Sequence, residues 1–242
     1  MMHKCNIFSK IQSYLEKSSN RINDSRPYVT LSYAQSIDGS IAYRPGRPLA
    51  LSCNESLEFT HCLRSAHDAI LVGIGTILAD NPSLTVRYIE GKSPQPVIVD
   101  GRLRFPLNAQ ALLNSHHLPW IATAENSDIE REQTLLKSGA TVIRIPAHSD
   151  GLINLKTLLH RLINMNITSI MVEGGAEIIT SFLKEQLVDQ IVLTVSPVYV
   201  GGLHAIGPFQ LSFLNPPVLQ NTEWERCGTD LILRADIVWD KK

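Results

Sequence analysis

Two segments place glycine directly after a short apolar run and ahead of a helical pattern. They are Val72-Gly73-Ile74-Gly75-Thr76-Ile77-Leu78-Ala79-Asp80 and Val172-Glu173-Gly174-Gly175-Ala176-Glu177-Ile178. Glycine lets a backbone turn sharply and approach a ligand closely, and the exposed N–H groups and partial positive charge at the start of a helix favour a phosphate. Both segments are candidate anion cradles, with tight packing as the competing explanation. Arg64 and Arg87 flank the first of them. A guanidinium can bind a phosphate bidentately, and at ~4 Å with an effective dielectric near 20 a unit-charge pair is worth on the order of 4 kcal/mol before desolvation. Two such contacts suffice to fix a phosphorylated substrate, although either arginine taken alone reads first as a solvated surface group. Glu173 either complements the dipole of the helix it leads into or accepts hydrogen bonds from a ligand's amino groups. Asp38 and Asp80 stand where aspartate is common for purely local reasons. Arg102 and Arg104 can meet an additional phosphate or simply be solvated. The eight histidines form no ligand cluster and read as structural or surface residues.

Several chemistries lose their main support. The dinucleotide pattern G-x-G-x-x-G fails at Leu78, and the Walker, H-E-x-x-H, G-x-S-x-G and zinc-deaminase patterns are absent. Cys5, Cys53, Cys62 and Cys227 have no metal-ligand or C-x-x-C spacing, so neither a metal site nor a disulfide framework is expected. The 22 Lys+Arg against 23 Asp+Glu leave a net charge of −1, without the basic excess that nucleic acid or an anionic membrane selects. No signal-peptide pattern opens the chain, and the uncharged apolar run Ala69–Ala79 falls short of the ~18 residues that span a bilayer. The expectation is a soluble, cytoplasmic protein.

The elements that must position these residues follow from periodicity. Residues 3–17 carry Ile7, Ile11 and Leu15 four apart, the spacing of a helix with one apolar face, read as an N-terminal extension over residues 1–26. Tyr28–Ala34 is the first strand, ending towards the turn signal Asp38-Gly39. A helix Glu55–Ala66 has Asn54 as its expected N-cap. Strands then follow at Ala69–Val72, Pro96–Val99, Trp120–Thr123, Thr141–Ile145, Ser169–Val172 and Gln190–Val195, interleaved with helices Ile129–Ser138, Leu155–Asn164 and Ala176–Glu185. Such alternation implies an α/β fold with a mostly parallel sheet flanked by helices, and 242 residues without an evident linker fit a single domain. The tail Asp230–Val238 reads as a strand, antiparallel and at the edge. Ligands of such sheets bind outside the carboxyl ends of the strands, where both glycine segments lie.

Four strings, Tyr28–Ala42 (YVTLSYAQSIDGSIA), Leu63–Arg87 (LRSAHDAILVGIGTILADNPSLTVR), Pro96–Pro106 (PVIVDGRLRFP) and Ile170–Gly202 (IMVEGGAEIITSFLKEQLVDQIVLTVSPVYVGG), resemble the pyrimidine reductases of riboflavin biosynthesis. The match runs in order over most of residues 27–205. The resemblance implies a dihydrofolate-reductase-like α/β fold over residues 27–242, homodimerisation, and NADPH-dependent reduction of a phosphoribosylaminopyrimidine to its ribitylamino form. It implies the stand-alone reductase type, since the deaminase signature is missing. Position by position it places Gly73, Thr76 and Asp80 at the cofactor, with Gly174, Gly175, Ala176, Glu177 and Ile178 around its pyrophosphate. Arg64, Leu84, Arg87 and Glu173 would contact the substrate, with no metal and no assigned catalytic acid. The resemblance leaves both the deaminated and the non-deaminated base open, and a different carbonyl or imine substrate or a nucleotide-binding module without turnover are the alternative readings. Asn81, where many relatives have Asp, Gly101, where many have Ser, and the segment 44–50 depart from the family pattern.

Overall fold

The computed structural model describes residues 6–19, 25–113, 117–148, 151–206 and 216–239. In chain order it contains α1 (Asn6–Ser19), β1 (Tyr28–Ser36), β2 (Ser40–Arg44), β3 (Arg47–Pro48), α2 (Asn54–Ala66), β4 (Ala69–Gly73), α3 (Ile74–Asp80), β5 (Gln95–Val99), α4 (Gln110–Leu113), β6 (Trp120–Ala124), α5 (Ile129–Lys137), β7 (Thr141–Ile145), α6 (Leu155–Ile163), β8 (Ser169–Glu173), α7 (Ala176–Lys184), β9 (Gln190–Ser196), β10 (Leu203–His204), β11 (Val218–Cys227) and β12 (Asp230–Val238). A nine-stranded sheet has the order β11-β12-β9-β1-β8-β4-β5-β6-β7, and β10-β2-β3 form a second, three-stranded sheet. Every neighbouring pair from β9 to β7 is parallel. The tail strand β12 is antiparallel to β9 as expected, but the edge belongs to β11, which pairs with it.

Side chains alternate between the two faces of the sheet. Leu71, Val97, Ile170 and Val172 face α6 and α7, which contribute Leu155, Leu158, Leu159, Leu162, Ile179 and Phe182 to the same cluster. Ile70, Val72, Ile98 and Ile121 face the opposite way, towards Ile77 of α3 and Leu135 of α5. Strands covered on both sides need no polar positions, which is why they read as continuous apolar runs. No helix among the described residues is long and apolar enough to cross a membrane.

Three differences from the sequence reading have physical causes. Expected as an appendage, α1 instead buries Ile7, Ile11 and Leu15 against Phe59, Leu63, Met171, Val192 and Ile232. Residues 3–5 of that predicted helix lie outside the described residues. Helix α2 starts at Asn54 itself, so Asn54 is not the cap; Cys53 takes that place without a side-chain capping bond, its N–H bound by Asp230 Oδ2 at 2.8 Å and its Sγ turned to Cys227 O at 3.2 Å. A tertiary contact thus fixes where the helix begins. Strand β11 gave no signal because its residues are largely exposed and its register shifts between Gln220 and Glu223. A charged, irregular strand of this kind is a common way to protect a sheet edge.

Candidate active site

Strands β1, β8 and β4 are parallel neighbours in the sheet. Ser32 of β1 is level with Glu173 at the end of β8, and β1 then runs on beside β9 until Ser36 meets Ser196. The overhanging ends of β1 and β9 therefore stand as a wall beside a floor made by the ends of β8 and β4. Asp38 holds the turn at the top of that wall. It accepts from Ser36 Oγ at 2.5 Å, Ser40 Oγ at 3.0 Å, Val200 N at 3.0 Å and Gly201 N at 2.8 Å. These bonds, that of Ser36 foremost, hold its carboxyl well below the usual carboxylate range, so Asp38 is a fixed acceptor that ties two loops together.

The two glycine segments meet on the floor, where Gly175 N donates to Thr76 Oγ1 at 3.2 Å. Their glycines serve two different purposes. A Cβ on Gly73 would lie 2.9 Å from Ile178 Cγ1 and one on Gly174 2.4 Å from Ile178 Cγ2, so both positions are small because Ile178 fills the space between the loops. Gly75 has nothing within 4 Å of its added Cβ, and Gly175 only Thr76 Oγ1 at 3.6 Å. Packing therefore explains the first pair and leaves the second unexplained except by open space for something else. Gly175, the N-cap of α7, has no side chain with which to accept from the first turn, so the amides of Ala176, Glu177 and Ile178 open that helix at the loop. Open space beside uncapped amides suits a pyrophosphate. Glu177 is exposed, whereas Ile178 is 6% exposed and offers only its backbone. Asp80 ends α3 with an exposed side chain.

Arg64 and Glu173 form one unit. Arg64 Nε and Nη2 each donate at 2.7 Å to the two carboxylate oxygens of Glu173, and Nη1 donates to Thr85 O at 3.1 Å. The side chains are 11% and 19% exposed. Burial alone would lower the Arg64 pKa, but the Glu173 carboxylate outweighs it and the net shift is upward. Neither of the two open readings of Glu173 anticipated this partner. Arg87 is exposed, and its guanidinium is held by Ser83 Oγ and, at 3.5 Å, by Thr85 Oγ1. Leu84 is only 1% exposed and has φ +56°, so its side chain belongs to the core and its backbone shapes the turn. The residue that sequence reasoning passed over is His61, 2% exposed, whose Nδ1 accepts Arg87 N–H at 2.9 Å. Its only sequence signal was its place one helical turn before Arg64.

Two departures from the family pattern also find local reasons. Asn81 adopts φ 43° as the C-cap of α3, a conformation asparagine tolerates well, and its Oδ1 accepts Gln110 N–H at 2.8 Å at the start of α4. Segment 44–50 contains the turn of the β2–β3 hairpin and strand β3, with Gly46 at φ 73°. Arg102 is exposed, and Arg104 stands 3.8 Å from Asp100. Two surface cavities, about 440 Å³ beside Lys10, Tyr14 and Glu223 and about 400 Å³ beside Arg26, His160 and Glu185, touch none of these site residues.

A mostly parallel α/β sheet with paired glycine loops and a part-buried ion pair over adjacent strand ends defines the class of protein. The chain belongs to the RibD C-terminal domain family, whose model matches residues 27–233. Among named relatives, the 2,5-diamino-6-ribosylamino-4(3H)-pyrimidinone 5′-phosphate reductase of Debaryomyces hansenii is 36% identical over 208 residues, covering 79% of this chain and 83% of the relative. The reductase of the same name from Saccharomyces cerevisiae is 30% identical over 241 residues, 95% of each chain. The riboflavin biosynthesis protein RibD of Aquifex aeolicus is 34% identical over 88% of this chain, which spans only 58% of that relative. Among solved structures, Saccharomyces cerevisiae riboflavin biosynthesis reductase Rib7 superposes with a TM-score of 0.76 at 29% identity, covering 96% of this chain and all of that one. Acinetobacter baumannii RibD gives 0.77 at 25% identity over 89% of this chain and 59% of its own. The fold is accordingly the dihydrofolate-reductase-like α/β fold of these reductases.

Proposed function

We propose that this chain is an NADPH-dependent reductase that converts a 5-phosphoribosylaminopyrimidine to its ribitylamino form in riboflavin biosynthesis. The observation that carries the reading is the contact of Gly175 with Thr76, which joins two cradles at neighbouring strand ends beside the Arg64–Glu173 pair. When bound, the reduced nicotinamide supplies a hydride to C1′ of the open-chain imine. The chain's own residues position and balance charge. The amides of Ala176 to Ile178 and the open space at Gly75 and Gly175 receive the pyrophosphate, with Thr76 and Asp80 beside them. Arg87, near the rim and exposed, meets the substrate's phosphate, while Arg64 and Glu173 offer one donor and one acceptor face to its polar groups. Rate enhancement of this kind comes from orientation more than from a strong base. The 2,5-diamino base is the favoured substrate, because relatives that this chain covers over 83% and 95% of their length carry that name.

The enzyme works in the cytoplasm as a homodimer on this reading. Exposed Ile37, Val198 and Tyr199 supply apolar surface for a second copy, Ile37 N and Val198 O being 3.0 Å apart. The test is to mix purified chain with NADPH and each phosphoribosylaminopyrimidine and to follow nicotinamide absorbance. The diamino compound is expected to oxidise NADPH one for one, and deuterium from labelled NADPH should appear at C1′. Oxidation by neither pyrimidine overturns the reading.

A further inference from the structure

We propose that His61 is a positioning residue for substrate phosphate, fixing Arg87 at the rim of the site through the backbone N–H of Arg87. The inference rests on the reading that Arg87 meets that phosphate. Helix α2 grips the segment after Leu84 at two backbone points, one turn apart on the same helix face. Arg64 Nη1 donates to Thr85 O at 3.1 Å, and His61 Nδ1 accepts from Arg87 N at 2.9 Å. Between them Val86 N is taken by Ser93 Oγ at 3.1 Å. Three successive residues are thus pinned while the Arg87 side chain stays exposed. The His61 ring also meets Tyr88 edge-on, with centroids 4.7 Å apart at 87°, and the Arg87 guanidinium lies 6.0 Å from the centre of that Tyr88 ring. A histidine serves here because it is apolar enough to bury and still presents a lone pair.

Accepting from an amide requires Nδ1 to be unprotonated. Burial first, then the Arg64 and Arg87 guanidiniums, push the His61 pKa down to about 4, against the opposing pull of Glu173. The ring is therefore a neutral acceptor at physiological pH. Removing it leaves the Arg87 amide without its buried partner and frees the segment that aims the guanidinium.

The experiment compares His61→Phe, which keeps an aromatic ring without an acceptor, with His61→Asn, which keeps an acceptor at the δ position. The expected result for His61→Phe is a rise of about tenfold in KM for the phosphorylated pyrimidine, the size of a weakened charged hydrogen bond from Arg87 to the phosphate. Its kcat and NADPH affinity should stay within about twofold, and its Arg87 amide should exchange hydrogen faster. His61→Asn should restore both KM and slow exchange. In an Arg87→Ala background, His61→Phe should change KM no further, because its route is gone. His61→Gln, with its acceptor displaced outward, replaces the Phe variant if that chain does not fold and is expected to behave alike. An unchanged KM, or a raised KM that Asn does not restore, overturns the role of His61. Wild-type protein that oxidises no NADPH with these pyrimidines overturns the reading of the reaction instead, an outcome told apart at the first measurement.

Discussion

At Gly174 and Gly175, neighbours in sequence, the same residue type answers to two different demands. Neither has a positive φ, so neither is glycine for the sake of its backbone conformation. Gly174→Ala would drive a methyl to 2.4 Å from Ile178 Cγ2, a core side chain with little room to move. Overpacking of this kind costs about 1–3 kcal/mol, so this variant is expected to lose that much in urea denaturation, and Ile178→Ala added to it should relieve the clash. Gly175→Val meets only ordinary contact at its Cβ, and should fold with wild-type stability while losing NADPH binding, as followed by tryptophan fluorescence titration. A Gly175→Val protein that binds NADPH normally would show that the space beside Thr76 receives nothing. Arg64 is bound by a related constraint. Deleting it strands the Glu173 carboxylate at 19% exposure, so Arg64→Ala should lose about 3–5 kcal/mol of stability in addition to weakening substrate use more than cofactor binding.

Among the elements, α1 shows how a correct local reading can miss a tertiary fact. Its four-residue spacing announced an amphipathic helix, but nothing in that spacing says what the apolar face covers. The structure lays it on α2 and the sheet, with Phe8 edge-on to Phe59 at 6.4 Å, Lys10 paired with Glu223 at 2.7 Å, and Ile7 N bound by Glu225 Oε2 at 3.1 Å. Ile11 is fully buried, so Ile11→Ala should destabilise the whole protein by about 2–5 kcal/mol in a single unfolding transition, whereas a merely appended helix would leave stability unchanged. The parallel strands were legible because burial on both faces imposes apolar runs, and the residues flanking them were legible because glycine beside a strand end is a local signal. The ion pair of Arg64 with Glu173 was not, since 109 residues separate them and it takes the pairing of β4 with β8 and the packing of α2 on the sheet to bring them together. His61 was hidden for the same reason: its meaning lies in an amide 26 residues away. Strand β11 and the hairpin β2–β3 were missed because an exposed strand has no period for burial to enforce.

Across the whole molecule, a chain of buried polar groups runs through the sheet beneath the site. His67, the C-cap of α2, has Nδ1 2.7 Å from Leu63 O and Nε2 2.7 Å from Thr30 Oγ1 on β1. Gln190 of β9 donates to the same Thr30 oxygen at 2.8 Å and accepts from Arg234 Nε of β12 at 3.2 Å. Because a carbonyl can only accept, Nδ1 carries the ring proton and Nε2 accepts from the Thr30 hydroxyl. A second proton on His67 would cost it that bond and place a charge in a site 4% exposed. Burial accordingly pushes its pKa down to about 4, although the Leu63 carbonyl, Asp68 and Glu173 act the other way. In the unfolded chain the ring titrates near 6.5, so between these values the unfolded state binds more protons and stability rises with pH. The contribution is complete above about pH 6.5 and is lost as pH falls towards 4, a change of roughly 2–3 kcal/mol by pH 4.5. His67→Gln, which can preserve a polar contact to Thr30 but cannot titrate, is expected to be less stable than wild type at pH 7 and to show a shallower fall between pH 6.5 and 4.5, measured as the shift in urea midpoint. Parallel falls for the two proteins would place the acid sensitivity elsewhere and leave His67 as a pH-indifferent link between α2 and β1.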